Sequence, residues 1–266
     1  MEYSQFVSTP LLPKGVVHLH KDSLNSMRRR LPFQIVFEDR DLVVIDKPAG
    51  LLSTHTRLAG RRAREEQPTA ENYLNDYLRK GQAKSRLRVW LVHRLDRETS
   101  GVMMFAKSEE VAERFRANWN RLTEKKYLAY VEGVMVDEGG IFESWLKEDP
   151  DGYRVRSVPE GTPGARLART EWRVLKPLPA SPAGDFHPFS GDCPRIAATL
   201  VEVVLKSGRK NQIRVHFSEA GHPVAGDVKY GARPASRLFL HSASLSFVHP
   251  RTGKKMTFTS ATSFAK

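Results

Sequence analysis

The stretch His93-Arg94-Leu95-Asp96-Arg97-Glu98-Thr99-Ser100-Gly101 sets one short acid, Asp96, between two arginines and just ahead of a turn. Thr99-Ser100-Gly101 supplies turn chemistry, and the apolar run Val102 to Ala106 then anchors the loop in a core. Opposite charge nearby favours the ionised form of an acid, so Arg94 and Arg97 are expected to hold Asp96 negative at neutral pH. Such a loop presents a carboxylate for chemistry. Taken alone, the same residues also fit a solvated charged turn, whose exposed ion pairs contribute little.

The nine-residue string resembles the HRLDxxTSG signature of the RluA-type RNA pseudouridine synthases, with every fixed position matched. Further blocks follow in the family's order. Asp46-Lys47-Pro48-Ala49-Gly50-Leu51 resembles its DKPAG segment, and the strand around Lys126-Tyr127-Leu128-Ala129 its K-x-Y element. Gly208-Arg209 with Gln212-Ile213-Arg214-Val215-His216, then Gly226-Asp227-Val228-Lys229-Tyr230-Gly231, Leu240-His241-Ser242-Ala243 and His249-Pro250 complete the resemblance. One departure is Asn211, where the family usually carries His; Asn keeps a hydrogen-bonding side chain.

The resemblance implies an isomerase that breaks the N1–C1′ bond of a uridine in RNA, turns the uracil and rejoins it through C5. Asp96 is then the catalytic carboxylate at C1′, a step akin to glycoside cleavage. Tyr127 is implied as the ring stacked beside the uracil and as the base for the late C5 proton. Its intrinsic pKa near 10 means that it would need the aspartate–arginine surroundings or the substrate's own acidity to act. Arg214 is implied as the buried partner that pairs with Asp96, a task a planar fork performs better than lysine. Ile213 and Leu240 would form the apolar wall of the pocket. Arg94 would contact an extruded nucleotide or enter the space it leaves, since a base inside a stem cannot reach a buried acid. Gln212 is expected at the substrate, and Lys229 with Tyr230 to close the pocket. His93 reads as structural, because this chemistry needs no imidazole. No cofactor and no metal are implied, and the histidines lack a carboxylate pair at ligand spacing.

The elements that must hold these residues are short. Ile35 to Phe37 and Leu42 to Ile45 read as strands around the Glu38-Asp39-Arg40-Asp41 turn. Arg57 to Gln67 reads as a mobile basic loop, whose Arg61 and Arg62 are expected in the RNA path. Thr69 can cap a helix through about Lys80, with Gly81 as its stop. Arg88 to Val92 is a strand that delivers the His93 motif. Ser108 caps a second helix with Glu109 and Glu110 at the positive end of its dipole. Its residues Val111, Phe115, Trp119 and Leu122 form one core stripe rather than a base-stacking platform. Lys125 to Val131, the Gly-rich segment from 139 to Val174, Thr199 to Lys206, Leu238 to Phe247 and Met256 to Phe258 read as strands. Pro177 to Pro194 reads as a long surface loop. The class is therefore α+β, with many short strands and about three helices. The resemblance makes it a central bent, mostly antiparallel sheet with flanking helices and an RNA-binding cleft. Residues 1–30 read as a basic extension ending in Arg28-Arg29-Arg30, and 31–262 as the catalytic domain.

The chain has 266 residues and a net charge of +13, which favours a polyanionic partner. The excess lies at the ends: residues 191–266 carry 12 basic and 4 acidic groups, whereas 31–190 carry 26 and 24. The family resemblance narrows that partner to a tRNA or rRNA stem-loop. No apolar run approaches the roughly 18 to 20 residues of a membrane span, nor is there a signal-peptide core. The lone Cys193 rules out an internal disulfide and fits a reducing compartment. A cytoplasmic monomer is the expectation. Two other readings stay open at this point: a catalytically silent RNA-binding or RNA-folding protein on the same scaffold, and an enzyme acting on a free nucleoside.

Overall fold

Alternating β-branched and aromatic residues, interrupted by Asp- and Gly-bearing turns, give eleven strands in one sheet among the described residues. The computed structural model describes residues 31–55, 67–80, 82, 84–178 and 197–262. Residues 1–30, Arg61, Arg62 and most of the proline-rich segment 177–194 lie outside the described residues, and with them the expectations placed there.

The strands are β1 (Gln34–Glu38), β2 (Leu42–Lys47), β3 (Trp90–Leu91), β4 (Ser100–Ala106), β5 (Thr123–Glu132) and β6 (Gly139–Glu148). They continue with β7 (Val155–Val158), β8 (Arg166–Leu178), β9 (Ala198–Leu205), β10 (Leu240–Val248) and β11 (Lys255–Thr259). Their order in the sheet is β1-β2-β4-β10-β5-β9-β8-β6-β7, with β3 added to β4 and β11 to β10. Every pairing is antiparallel except β4 with β10. Register shifts in β1, β10 and β8 mark bulges, where strands bend.

Among the described residues three α-helices pack on this sheet: α1 (Ala70–Arg79), α2 (Glu109–Leu122) and α3 (Gln212–Glu219). Thr69 and Asn72 form a reciprocal capping box at the start of α1. The stop differs from expectation, because Lys80 itself takes the left-handed conformation (φ 51°). Ser108 caps α2 as expected. Asn118 leaves helical geometry (φ −126°, ψ 21°), and beyond this break Trp119 stacks on His93 with ring centroids 4.6 Å apart. Only Phe115 of the expected stripe is fully buried; Val111, Trp119 and Leu122 pack at the edge of the core. The strand expected over Arg88 to Val92 is reduced to Trp90–Leu91. No described helix is long and apolar enough to cross a membrane.

The β4–β10 contact is what brings the His93 motif to the centre of the sheet. It is short, pairing His241 with Ser100 and Ser242 with Gly101. His241 Nε2 donates to the Ser260 carbonyl (3.1 Å), so its Nδ1 accepts from the Ser100 hydroxyl (2.8 Å). Arg237 donates to that same hydroxyl oxygen at 2.7 Å. Gly101 has φ +110°, and a Cβ there would stand 2.2 Å from the Ser242 carbonyl oxygen. Gly101→Ala must therefore separate the two strands, and a loss of about 3 kcal/mol or more is expected. The midpoint of urea unfolding checks this; a midpoint equal to wild type would mean that the junction can yield.

Candidate active site

Asp96 lies in the loop between β3 and β4, and that loop is fixed by groups far away in sequence. The Ser53 hydroxyl donates to the Leu95 carbonyl (2.7 Å) and accepts from the Leu95 amide (3.2 Å). The Gly50 amide donates to the Arg97 carbonyl at 2.8 Å. Lys47 is fully buried, and its ammonium donates to the carbonyls of Pro48 (2.9 Å), Leu51 (2.8 Å) and Arg97 (3.2 Å). Burial pulls its pKa down to about 8, while the charges of Asp96 and Glu98 partly oppose the shift. The Asp46–Leu51 block thus clamps the Asp96 loop from below. No local pattern in the sequence announces this tie.

The side chain of Asp96 is 19% exposed and opens on a cavity of about 360 Å³, a size suited to a small ligand. Tyr127, Ile213 and Leu240, all buried, line that cavity, and Arg94 lines it as an exposed side chain. These residues are brought together as the sequence implied. Arg94 and Arg97 are not what holds the acid: Arg97 donates to the Gly50 carbonyl at 3.1 Å, and neither arginine forms an ion pair with Asp96. In an extended loop, sequence neighbours diverge, and the cation that faces Asp96 comes instead from α3.

That cation is Arg214, buried, with Nη1 at 3.7 Å from Asp96 and 3.9 Å from Glu98. Its principal partner is one the sequence reading missed. Nε and Nη2 donate to the two oxygens of Asp227, each at 2.6 Å, and the Asp227 side chain is wholly buried. This is a bidentate pair. Burial alone would weaken the guanidinium; Asp227, then Asp96 and Glu98, more than offset it and hold Arg214 charged. Asp227 sits where the Gly226 turn leads into the short helical turn Val228–Tyr230, a position with no periodicity to flag it.

Asn211, in the left-handed conformation (φ 54°), begins α3. With its amide nitrogen turned toward Asp96, it donates to Oδ2 at 2.8 Å, and its oxygen accepts from Lys229 (3.2 Å) and the Tyr230 hydroxyl (3.0 Å). Two expectations change here. Lys229 does not line the cavity; it stands behind Asn211, with its ammonium over the rings of Tyr153 (4.7 Å) and Tyr230 (5.5 Å). Gln212 touches the cavity wall, but its amide is consumed inside the fold. Its nitrogen donates to the Arg169 carbonyl (3.0 Å) and the Thr170 hydroxyl (2.9 Å), and its oxygen accepts from Ser207 (2.7 Å) and the Arg209 amide (3.0 Å). A substrate contact would leave those groups unpaired.

Burial, and then the charge on Asp96, push the phenol of Tyr127 upward, with a hydrogen bond to Ser242 acting the other way. The acid next door therefore opposes ionisation of Tyr127 rather than assisting it, which corrects the expectation that these surroundings would help the phenol act as a base. His93 is held as a structural group: its Nε2 accepts from the Met104 amide at 3.0 Å. Desolvation and the neighbouring Lys125 lower its pKa to about 3, so it stays neutral.

Residues 41–219 match the family model described as RNA pseudouridylate synthase. An uncharacterised RNA pseudouridine synthase of Bacillus subtilis is 33% identical over 234 residues, covering 86% of this chain and 72% of that protein. The tRNA pseudouridine synthase C of Haemophilus influenzae is 30% identical over 243 residues, covering 85% and 91%. The human RNA pseudouridylate synthase domain containing 4 superposes with a TM-score of 0.62 at 22% identity, over 90% of each chain, which bears on the fold.

Proposed function

The chain belongs to the RluA-type RNA pseudouridine synthases, isomerases that act on RNA, and from that premise we propose that it converts particular uridines of tRNA or rRNA to pseudouridine with Asp96 as the group at C1′. The observation that carries this is that, among the described residues, a single acid opens on the cavity, hydrogen-bonded by Asn211, faced by Arg214 and set beside the ring of Tyr127.

The reaction is balanced within the nucleotide. The N1–C1′ bond breaks, a C5–C1′ bond forms, the C5 proton is lost and N1 gains one. Asp96 stabilises or captures the electron-poor C1′, for which it must be ionised and oriented; Asn211 and Arg214 supply the orientation. The uracil turns within walls made by Ile213, Leu240 and the Tyr127 ring. Forming the C5–C1′ bond leaves the Asp96 carboxylate free and C5 carrying both its proton and C1′, so that proton becomes acidic only after the bond has formed. Tyr127 therefore acts on the C5 proton late. Arg94 enters from the exposed side, where the extruded nucleotide leaves its stack.

Tyr127→Phe keeps the ring and removes the oxygen. RNA affinity is expected to stay within a few fold while the single-turnover rate falls on the order of 10²-fold, the usual worth of a positioned proton acceptor. An unchanged rate would leave Tyr127 a packing residue. The reaction itself is tested by incubating the purified protein with RNA from cells lacking its gene and mapping pseudouridine by mass spectrometry. Conversion at one or a few uridines is expected; conversion at none overturns the reading.

A further inference from the structure

Among the described residues the cavity wall carries six cations and one acid; four of the cations are already engaged, and Arg94 is exposed. Arg116 donates to the Leu91 carbonyl, Arg209 to the Leu167 carbonyl, Lys210 pairs with Glu148 and Arg214 with Asp227. Lys125 is different. It is buried (5% exposed), lines the cavity, and among the described residues no carboxylate or carbonyl accepts from it. What faces its ammonium is the indole of Trp119 from α2, 5.6 Å from the ring centroid, and the turn after β9. A Cβ on Gly208 in that turn would stand 3.1 Å from Nζ, so the absence of a side chain there leaves the ammonium its room. The other ionisable neighbours are Arg209, which is positive, and His93, which is neutral.

A buried ammonium without an anion is costly and is rarely retained without a ligand to meet it. Burial, then Arg209, bring its pKa down to about 8, which still leaves the charged form in the majority at neutral pH. Lys125 and Tyr127 are two residues apart on β5, hence on one face of the strand and on the same wall. A uridine cannot enter this cavity alone, because it brings the phosphodiesters that join it to its neighbours.

Resting on the reaction proposed above, we infer that Lys125 is an anion subsite that receives a phosphodiester of the RNA flanking the extruded uridine, with Trp119 as its floor. Among the described residues the ammonium has no anionic partner, and the bound phosphate supplies one.

Lys125→Met removes the charge and keeps the length and the contact with Trp119. Its affinity for fluorescent dodecauridylate is measured against KCl concentration, beside wild type and Lys176→Met, an exposed lysine of β8 away from the cavity. For Lys125→Met the slope of log affinity against log salt should fall by about 0.7, the value for one phosphate of a single strand. Lys176→Met should keep the wild-type slope. Thermal stability of Lys125→Met should equal or exceed wild type, since an unpaired buried charge has been removed. A wild-type slope, a destabilised variant, or no binding of dodecauridylate by wild type overturns the assignment. So does a fall confined to the saturating single-turnover rate, which would place the ammonium on the base instead. If wild type converts uridines in cellular RNA while the slope test fails, only the role of Lys125 is lost. If wild type converts none, the reaction proposed for Asp96 falls first.

Discussion

Asp96→Asn is expected to reduce pseudouridine formation on the order of 10⁴-fold or more, as loss of a group that bonds the reacting atom does elsewhere. The substitution is close to isosteric, so the loop should keep its place: Ser53, Gly50 and Lys47 hold it through the backbone and not through the carboxylate. The acid is 19% exposed and 3.7 Å from Arg214, so its removal costs the fold only about 1 kcal/mol. RNA affinity should change by no more than a few fold. Single-turnover assays on the RNA that wild type modifies, together with an unfolding curve, separate the two effects. Product formed at a tenth of the wild-type rate or better would show that Asp96 is not the reacting group.

Asp227→Asn is expected to do damage of another kind. The Asp227–Arg214 pair is buried on both sides and short in both its hydrogen bonds, so the variant leaves a guanidinium in the core without its counter-charge, at a cost of about 3–5 kcal/mol. Activity should collapse as well, because the guanidinium aimed at Asp96 by Asp227 is no longer aimed. Stability and catalysis can be uncoupled with a double variant, Arg214→Met with Asp227→Leu. Replacing both charges with apolar side chains restores much of the stability and none of the activity. Urea midpoints and single-turnover rates, taken on the same preparations, check both statements. A double variant as unstable as the single one would mean that the pair is not the dominant contribution.

How much of this could be read in the sequence depended on whether the signal was local. The loop of Asp96, the capped helix after Thr69 and the alternation of β5 are local patterns, and each is found where expected. α3 is not local in this sense. Gln212 to Phe217 are buried on every side, so no polar face marks a helical period, and eight residues give little to count. The partners of the acid were misread for a related reason. Adjacent arginines in a loop point apart, whereas Asn211, Arg214 and Asp227 converge only after α3 and the turn at 228–230 have folded against β6, β7 and β8. Lys47 belongs to the same group: its three carbonyl acceptors span fifty residues. Gln212 and Lys229 were placed near the substrate by their motifs, but hydrogen-bond satisfaction claims one and Asn211 claims the other.

The parallel contact between β4 and β10 joins segments some 140 residues apart, Ser100 to His241 and Gly101 to Ser242. A chain emerging from the ribosome can therefore build the β1–β2 hairpin early, but it cannot seat the reactive acid until β10, some 140 residues beyond β4, has been made. Closing so long a loop is the slow part of such a topology, and competence for RNA should arrive all at once, when β10 pairs with β4, rather than by degrees.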